Sequence, residues 1–256
     1  MYARVNGVET WYDVRGEGEP LVLLHGGFSD SRDFEPNLAG LPGFRVHRVD
    51  RRGHGRTPDV PGPVSMDLLT ADVIAFLEDV VGEPSHLVGY SVGGVPAMGV
   101  ATRRPELVRR LVLISTAYDR EGWMFLPSPE GELPTELVDR YAEVSPDGRD
   151  HLRVVVEKFG RAAQEEPGLS PGDLERITSP TLVMGSDDDI IHLEHTIALY
   201  RGIGPAQLVV VPGTSHSLLI EKPELCASLV ADFLTGEDPK PLMPIRRMSC
   251  PSPRHR

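Results

Sequence analysis

Two cysteines are all this chain carries, Cys226 and Cys250, and the second sits in a segment rich in proline and arginine. A pair so placed is no disulfide framework of the kind that staples small secreted domains. Long apolar runs are missing too. Nowhere do about 18 consecutive apolar residues occur, so no helix spanning a bilayer is expected. The start, MYARVNGVETWYDVRG, lacks the apolar stretch of a secretory leader. A reducing, cytoplasmic setting is the default expectation. Positive charge is also in deficit: 26 Lys and Arg face 38 Asp and Glu, for a formal charge of −12. Nucleic-acid binders carry a basic patch, and an anionic membrane surface repels this balance, so neither is expected as a partner. A small-molecule substrate is. The sequence carries no internal repeat and no signature of oligomeric state.

What is present is enough for one domain with a sizeable core: 256 residues, 40% of them hydrophobic. VNGV at 5–8 reads as a hairpin turn between alternating residues. LVLLH at 21–25 is a continuous apolar run, the pattern of a strand buried on both faces. RVHRVD at 45–50 and HLVGY at 86–90 read as further strands, followed by LVRRLVLIST at 107–116, PTLVM at 180–184 and AQLVVV at 206–211. Helices are expected between them. One starts at a Ser65 cap and stops at Gly82; others cover VGGVPAMGVATRR, about 193–203, and 223–234 behind Pro223. Strands alternating with helices predict an α/β fold: a mostly parallel sheet covered on both faces.

The alternation breaks once, from about Tyr118 to Ile177, where only helical stretches occur, such as TELVDRYAEV and HLRVVVEKFGRAAQ. This predicts core segments 1–117 and 178–236 with a helical insertion, 118–177, over one end of the sheet. Residues 237–256 have the composition of a disordered tail.

In Gly89-Tyr90-Ser91-Val92-Gly93 a serine falls between an expected strand and an expected helix. So sharp a reversal strains its central residue and needs small neighbours where backbones crowd. It also pushes the hydroxyl out at the strand's carboxyl end, where the helix presents its first amides to a developing negative charge. The Val92 amide is placed as one donor.

Serine needs a base. His47 and His86 lie in strands, His151 in the insertion and His255 in the tail, while His192 and His195 near a helix start are expected to be solvated. Beside Asp187 and Asp188 the last two suggest a metal site, but wet side chains on a helical face are the better expectation. His216 differs. It follows the last strand, in VVVPGTSHSLLIEKP, and returns to the carboxyl end of the sheet, where chemistry collects in open α/β folds. The acid that would orient its imidazole is Asp187, Asp188 or Asp189, and the residues alone leave all three open.

Four motifs, HGG at 25–27, DRRGHGRTP at 50–58, GYSVGG at 89–94 and PGTSH at 212–216, fall in an order that resembles the α/β-hydrolase superfamily from about Val5 to Leu234. The resemblance implies an eight-stranded, mostly parallel sheet with a cap after the sixth strand. It also implies Ser91 as nucleophile, His216 as general base, and an oxyanion hole from the amides of Gly27 and Val92. Phe28 is the neighbouring candidate and an expected pocket wall. Such a cap shapes the substrate pocket, so Trp123-Met124-Phe125-Leu126 is expected either to line it or to glue cap to core, with Trp123 and Phe125 as candidate substrate contacts. The family's Gly-x-x-Asp after the seventh strand fits two frames here. Counting from Gly185 selects Asp188. Counting from Pro180 selects Asp189, puts Ser186 where glycine is usual and leaves LEHT at 193–196 in its usual place; this frame is preferred.

A serine at the elbow argues against haloalkane dehalogenase and epoxide hydrolase chemistry, which use aspartate there. The expected activity is a serine hydrolase of a small carboxylic ester, lactone or thioester, with no metal or organic cofactor. Carbon–carbon hydrolysis, acyl transfer, a non-hydrolytic cyclase or lyase, and a low-turnover ligand-binding protein are the alternatives.

Overall fold

A computed structural model describes residues 1–125, 132–237 and 239–243. Leu126, Cys250, His255 and most of the expected tail lie outside the described residues.

The chain opens with β1 (Tyr2–Val5) and β2 (Val8–Arg15), paired antiparallel. Their turn is Asn6-Gly7, both with positive φ (44° and 83°), the backbone that matches a hairpin's twist. Six strands follow: β3 (Glu19–Leu24), β4 (Phe44–Val49), β5 (Ser85–Tyr90), β6 (Val108–Ile114), β7 (Thr181–Asp188) and β8 (Ala206–Ser215). They form one eight-stranded sheet in the order β1-β2-β4-β3-β5-β6-β7-β8. All pairings from β4 through β8 are parallel, while β2 joins β4 antiparallel. The sheet is the mostly parallel one expected.

Side-chain alternation explains why the central strands are apolar throughout. Val22, Leu24, Leu87, Leu111, Leu113 and Val183 face one way, into a core completed by helices α1 (Met66–Phe76), α2 (Gly94–Arg103) and α6 (Leu193–Gly202). Leu21, Leu23, Val88, Val112, Ile114 and Met184 face the other, against the Ser31–Phe34 turn and the helices α7 (Leu218–Glu221) and α8 (Pro223–Thr235). Each fully buried leucine or valine contributes about 1.5–3 kcal/mol, so neither face of these strands tolerates water.

Ser65 caps α1, its Oγ accepting from the Leu68 amide at 3.0 Å. The helix does not run regularly to Gly82. It passes into one wider turn over 77–81, closed by the Gly82 amide donating to the Leu77 carbonyl at 2.8 Å, with Gly82 at φ 75°.

Between β6 and β7 lie α3 (Thr135–Ala142), α4 (Leu152–Glu165) and α5 (Pro171–Glu175). The apolar stripe of α4, Leu152, Val155, Val156 and Phe159, joins Tyr141 of α3 and packs on Val64 and Leu69 of the preceding layer. Leu174 and Ile177 instead enter the main core beside α6, so the end of this segment packs into the body of the fold. Strands β7 and β8 also run further than their apolar stretches, because they stay paired as far as Asp188 and Ser215. Asp187 and Asp188 are therefore strand residues rather than loop acids.

Candidate active site

The reversal at the end of β5 puts Ser91 at φ 53°, a left-handed backbone that costs a serine about 1 kcal/mol or more. Close approach explains the glycines around it. A Cβ on Gly89 would sit 2.5 Å from Gly94 Cα, one on Gly93 only 2.2 Å from the Leu24 carbonyl oxygen, and one on Gly94 2.4 Å from Thr116 Oγ1.

His216, one residue beyond β8, meets the serine there: Nε2 lies 2.9 Å from Ser91 Oγ. Its Nδ1 lies 2.7 Å from Asp189 Oδ1. A carboxylate can only accept, so Nδ1 carries the proton and Nε2 is free to accept from the serine hydroxyl. Burial pushes the Asp189 carboxyl up, but hydrogen bonds from His216 and Ser115 outweigh it and hold the group below its ordinary value. Asp187 does other work. It accepts from the Gly213 and Thr214 amides at 2.8 and 3.1 Å, pinning the end of β8 that leads to His216. Asp189 is the acid of the three that meets the imidazole.

Two residues not singled out from sequence hold this arrangement. Ser115, just past β6 and at φ 45°, donates its hydroxyl to Asp189 Oδ2 at 2.5 Å. Tyr90 donates its hydroxyl to the His216 carbonyl at 2.8 Å and stacks on the imidazole at 5.5 Å. Neither has a sequence signature beyond lying at a strand's carboxyl end.

Ser91 and His216 open into a cavity of about 400 Å³. Gly27, Phe28 and Val92 line it near the serine, and Val64, Leu69, Val95 and Phe159 extend an apolar wall. Trp123 and Phe125 line it as well. Trp123 is zipped against Ile191, two positions after Asp189, with the Met124 amide donating to the Ile190 carbonyl at 2.8 Å, and the Trp123 ring lies edge-on to His216 at 6.5 Å. Met124 points elsewhere, 58% exposed. Phe28, at φ 57°, stacks on His54, which also meets Phe159 edge-on at 4.7 Å. Burial and then the charge of Arg51 lower His54 to about 3, so a neutral ring backs this wall.

His195 corrects an expectation. It is buried rather than solvated, stacked on Tyr118 at 4.0 Å with its Nε2 accepting from the Tyr118 amide at 3.2 Å. A bare Gly122 makes room for it: a Cβ there would lie 2.5 Å from the ring. Among the described residues no group of three or more His, Cys, Asp or Glu side chains is arranged to hold a metal, and no helix is long and apolar enough to cross a membrane.

Comparison with known proteins agrees with this architecture. A model of the alpha/beta hydrolase family matches residues 21–229. Pyrrolizixenacetamide deacetylase of Xenorhabdus hominickii is 32% identical over 92% of this chain and 98% of its own. A 2-hydroxy-6-oxo-6-phenylhexa-2,4-dienoate hydrolase of Comamonas testosteroni is 28% identical, covering 87% of this chain and 90% of its own. Among solved structures, the enol-lactonase of Burkholderia xenovorans LB400 superposes with a TM-score of 0.74 at 28% identity, over 92% of this chain and all of that one.

Proposed function

The chain belongs to the alpha/beta hydrolase family and is an enzyme of it, and from that premise we propose that it is a serine hydrolase of a small carboxylic ester, lactone or thioester. The observation that carries this reading is the unbroken relay from Ser91 Oγ through His216 to Asp189 at the wall of an apolar cavity.

Ser91 attacks the carbonyl carbon as His216 Nε2 takes its proton, and Asp189 stabilises the imidazolium that results. The amides of Gly27 and Val92 receive the oxyanion; loss of one such donor typically costs about 10²–10³ in rate. The imidazolium then protonates the leaving oxygen or sulfur. A water activated by the same His216 releases the acid from the acyl-enzyme. The segment 118–177 acts as the cap of the pocket. Trp123, Phe125 and Phe159 shape its acyl side, and Tyr90 and Ser115 keep base and acid in register.

A second reading, carbon–carbon hydrolysis on the same triad, draws support from the dienoate hydrolase among the relatives. A dienoate brings its own carboxylate, whereas among the described residues the charged ones lining this cavity are Asp119 and Glu166 against Arg120, which already donates to the Gln164 carbonyl at 3.2 Å. That balance favours an uncharged substrate.

Labelling with a fluorophosphonate, read by intact mass and peptide mapping, tests the proposal. A single adduct on Ser91 is expected, abolished in His216→Ala and slowed in Asp189→Asn. An unlabelled wild type would sink the nucleophile, and normal labelling of Asp189→Asn would sink the assigned acid. Ester, lactone and thioester panels against a vinylogous carbon–carbon substrate separate the two readings.

A further inference from the structure

The segment DRRGHGR contains a buried cation that the chemistry above leaves unused. Arg48 and Arg52 are buried too, but each reaches carboxylates: Arg48 those of Asp13 and Glu35, Arg52 that of Asp72. Arg51, 5% exposed, has no carboxylate within ion-pair distance among the described residues, and its Nε and Nη1 meet no hydrogen-bonding partner there. Burial lowers its guanidinium only to about 10, so the charge persists at neutral pH. The carboxylates of Asp33 and Asp72 act on it only from beyond ion-pair distance, and a buried charge so weakly compensated is costly to keep.

Among the described residues the Arg51 side chain has one acceptor, the Gly26 carbonyl, reached by Nη2 at 2.8 Å. The main chain of the same residue adds a second tie. The Arg51 amide donates to His25 Nε2 at 3.0 Å. That fixes the tautomer: Nε2 accepts, so the neutral ring carries its proton on Nδ1, and Nδ1–H donates to the Gly26 carbonyl at 2.7 Å. Burial, then the charge of Arg51, holds His25 well below its usual range and keeps it neutral.

Both donors therefore converge on one carbonyl, and that carbonyl belongs to the peptide whose other end is the Gly27 amide. No peptide bond here is cis. In a planar trans peptide the N–H points opposite to the C=O, so a carbonyl held from the Arg51 side turns the Gly27 N–H away from it. Gly27 lines the cavity and lies against Val92, whose Cγ2 would be 3.2 Å from a Cβ at Gly27, while a Cβ at Gly26 would lie 3.4 Å from the Ser91 Cβ. Hydrogen bonds accepted at the carbonyl also polarise the amide and strengthen its N–H as a donor.

We infer that Arg51, acting with His25, is a positioning residue for the oxyanion hole: it clamps and polarises the Gly26–Gly27 peptide so that the Gly27 amide faces the developing alkoxide. This inference rests on the reading of Ser91 as nucleophile and Gly27 as donor.

The test compares wild type, Arg51→Met and Arg51→Lys on 4-nitrophenyl acetate. Active sites are counted by fluorophosphonate titration, and inhibition by an aryl trifluoromethyl ketone, whose serine adduct carries an oxyanion, is measured in parallel. In Arg51→Met, kcat per titrated site should fall about tenfold to a hundredfold, less than outright loss of a donor. KM should hold, and affinity for the ketone should fall in step with kcat. Arg51→Lys, which keeps the charge, should recover part of both. A merely structural role would lower the titrated fraction and leave kcat per site and ketone affinity unchanged, and that result would overturn the inference. If Arg51→Met does not fold, Arg51→Lys decides alone: wild-type kcat per site and wild-type ketone affinity together refute the clamp. A wild type inert to the fluorophosphonate fails earlier, at the nucleophile itself, and removes this inference with it.

Discussion

Asp59, directly after the DRRGHGRTP motif, is a polar tie that adds to the apolar packing of α4, and Asp59→Asn should loosen that wall of the pocket without touching its chemistry. Its carboxylate, 5% exposed, accepts from Lys158 Nζ at 2.8 and 2.6 Å and lies 3.0 Å from His151 Nε2. Lys158 also donates to the Val60 carbonyl at 2.7 Å, and the Asp59 amide donates to Asp147 at 2.7 Å. Start and middle of α4 are thus tied to one loop. Removing one partner of a buried ion pair costs about 3–5 kcal/mol. Here Lys158 and His151 keep 18% and 30% of their side chains exposed, so water recovers part of the loss and about 2–3 kcal/mol is expected. At roughly 2–4 °C per kcal/mol for a chain of this size, Tm should fall by about 4–12 °C. Because α4 supplies Phe159, Ala162 and Ala163 to the cavity wall, KM should rise as well. A loss of ~1 kcal/mol in binding corresponds to about fivefold. Thermal unfolding and steady-state kinetics on an ester read both effects, with Lys158→Met and the double variant completing a cycle. A double variant as damaged as the sum of the two singles would show that the pair is not coupled. A Tm within about 1 °C of wild type would refute the whole ledger.

Three further outcomes are expected. Ser115→Ala removes the hydroxyl that donates to Asp189; kcat should drop about tenfold, equivalent to ~1.4 kcal/mol, with KM unchanged in steady-state assays. Gly93→Ala would drive a Cβ to 2.2 Å from one backbone oxygen and 2.5 Å from another; overpacking of rigid backbone should cost about 3 kcal/mol or more, read as loss of Tm or of soluble protein. The Asp189 carboxyl titrates below its ordinary 3.8 in the folded protein, so its contribution to stability is complete above that value and is lost as pH falls through the folded one. Urea unfolding of wild type and Asp189→Asn should therefore differ most near neutrality and converge in acid; a gap that persists in acid would contradict the assignment of the shift.

The sequence by itself determined the layers and the elbow. Unbroken apolar strands have to be covered on both faces, and Gly89, Gly93 and Gly94 around Ser91 announce a reversal too tight for side chains. Both are local consequences of covalent geometry and hydrophobicity, so they survive without knowledge of the neighbours. The choice among Asp187, Asp188 and Asp189 was of another kind. Three identical side chains in a row carry identical chemistry, and only the pairing of β7 with β8, with its register shift between Ser186 and Asp188, decides which one turns toward His216 and which one toward the Gly213 amide. The burial of His195 follows from Tyr118, 77 positions away in the chain. Ser115 meets Asp189 across 74 positions, and the Arg51 guanidinium meets the Gly26 carbonyl across 25. No periodicity or motif encodes such meetings, because each depends on where separate strands end relative to one another, and strand ends come into register only when the sheet is assembled.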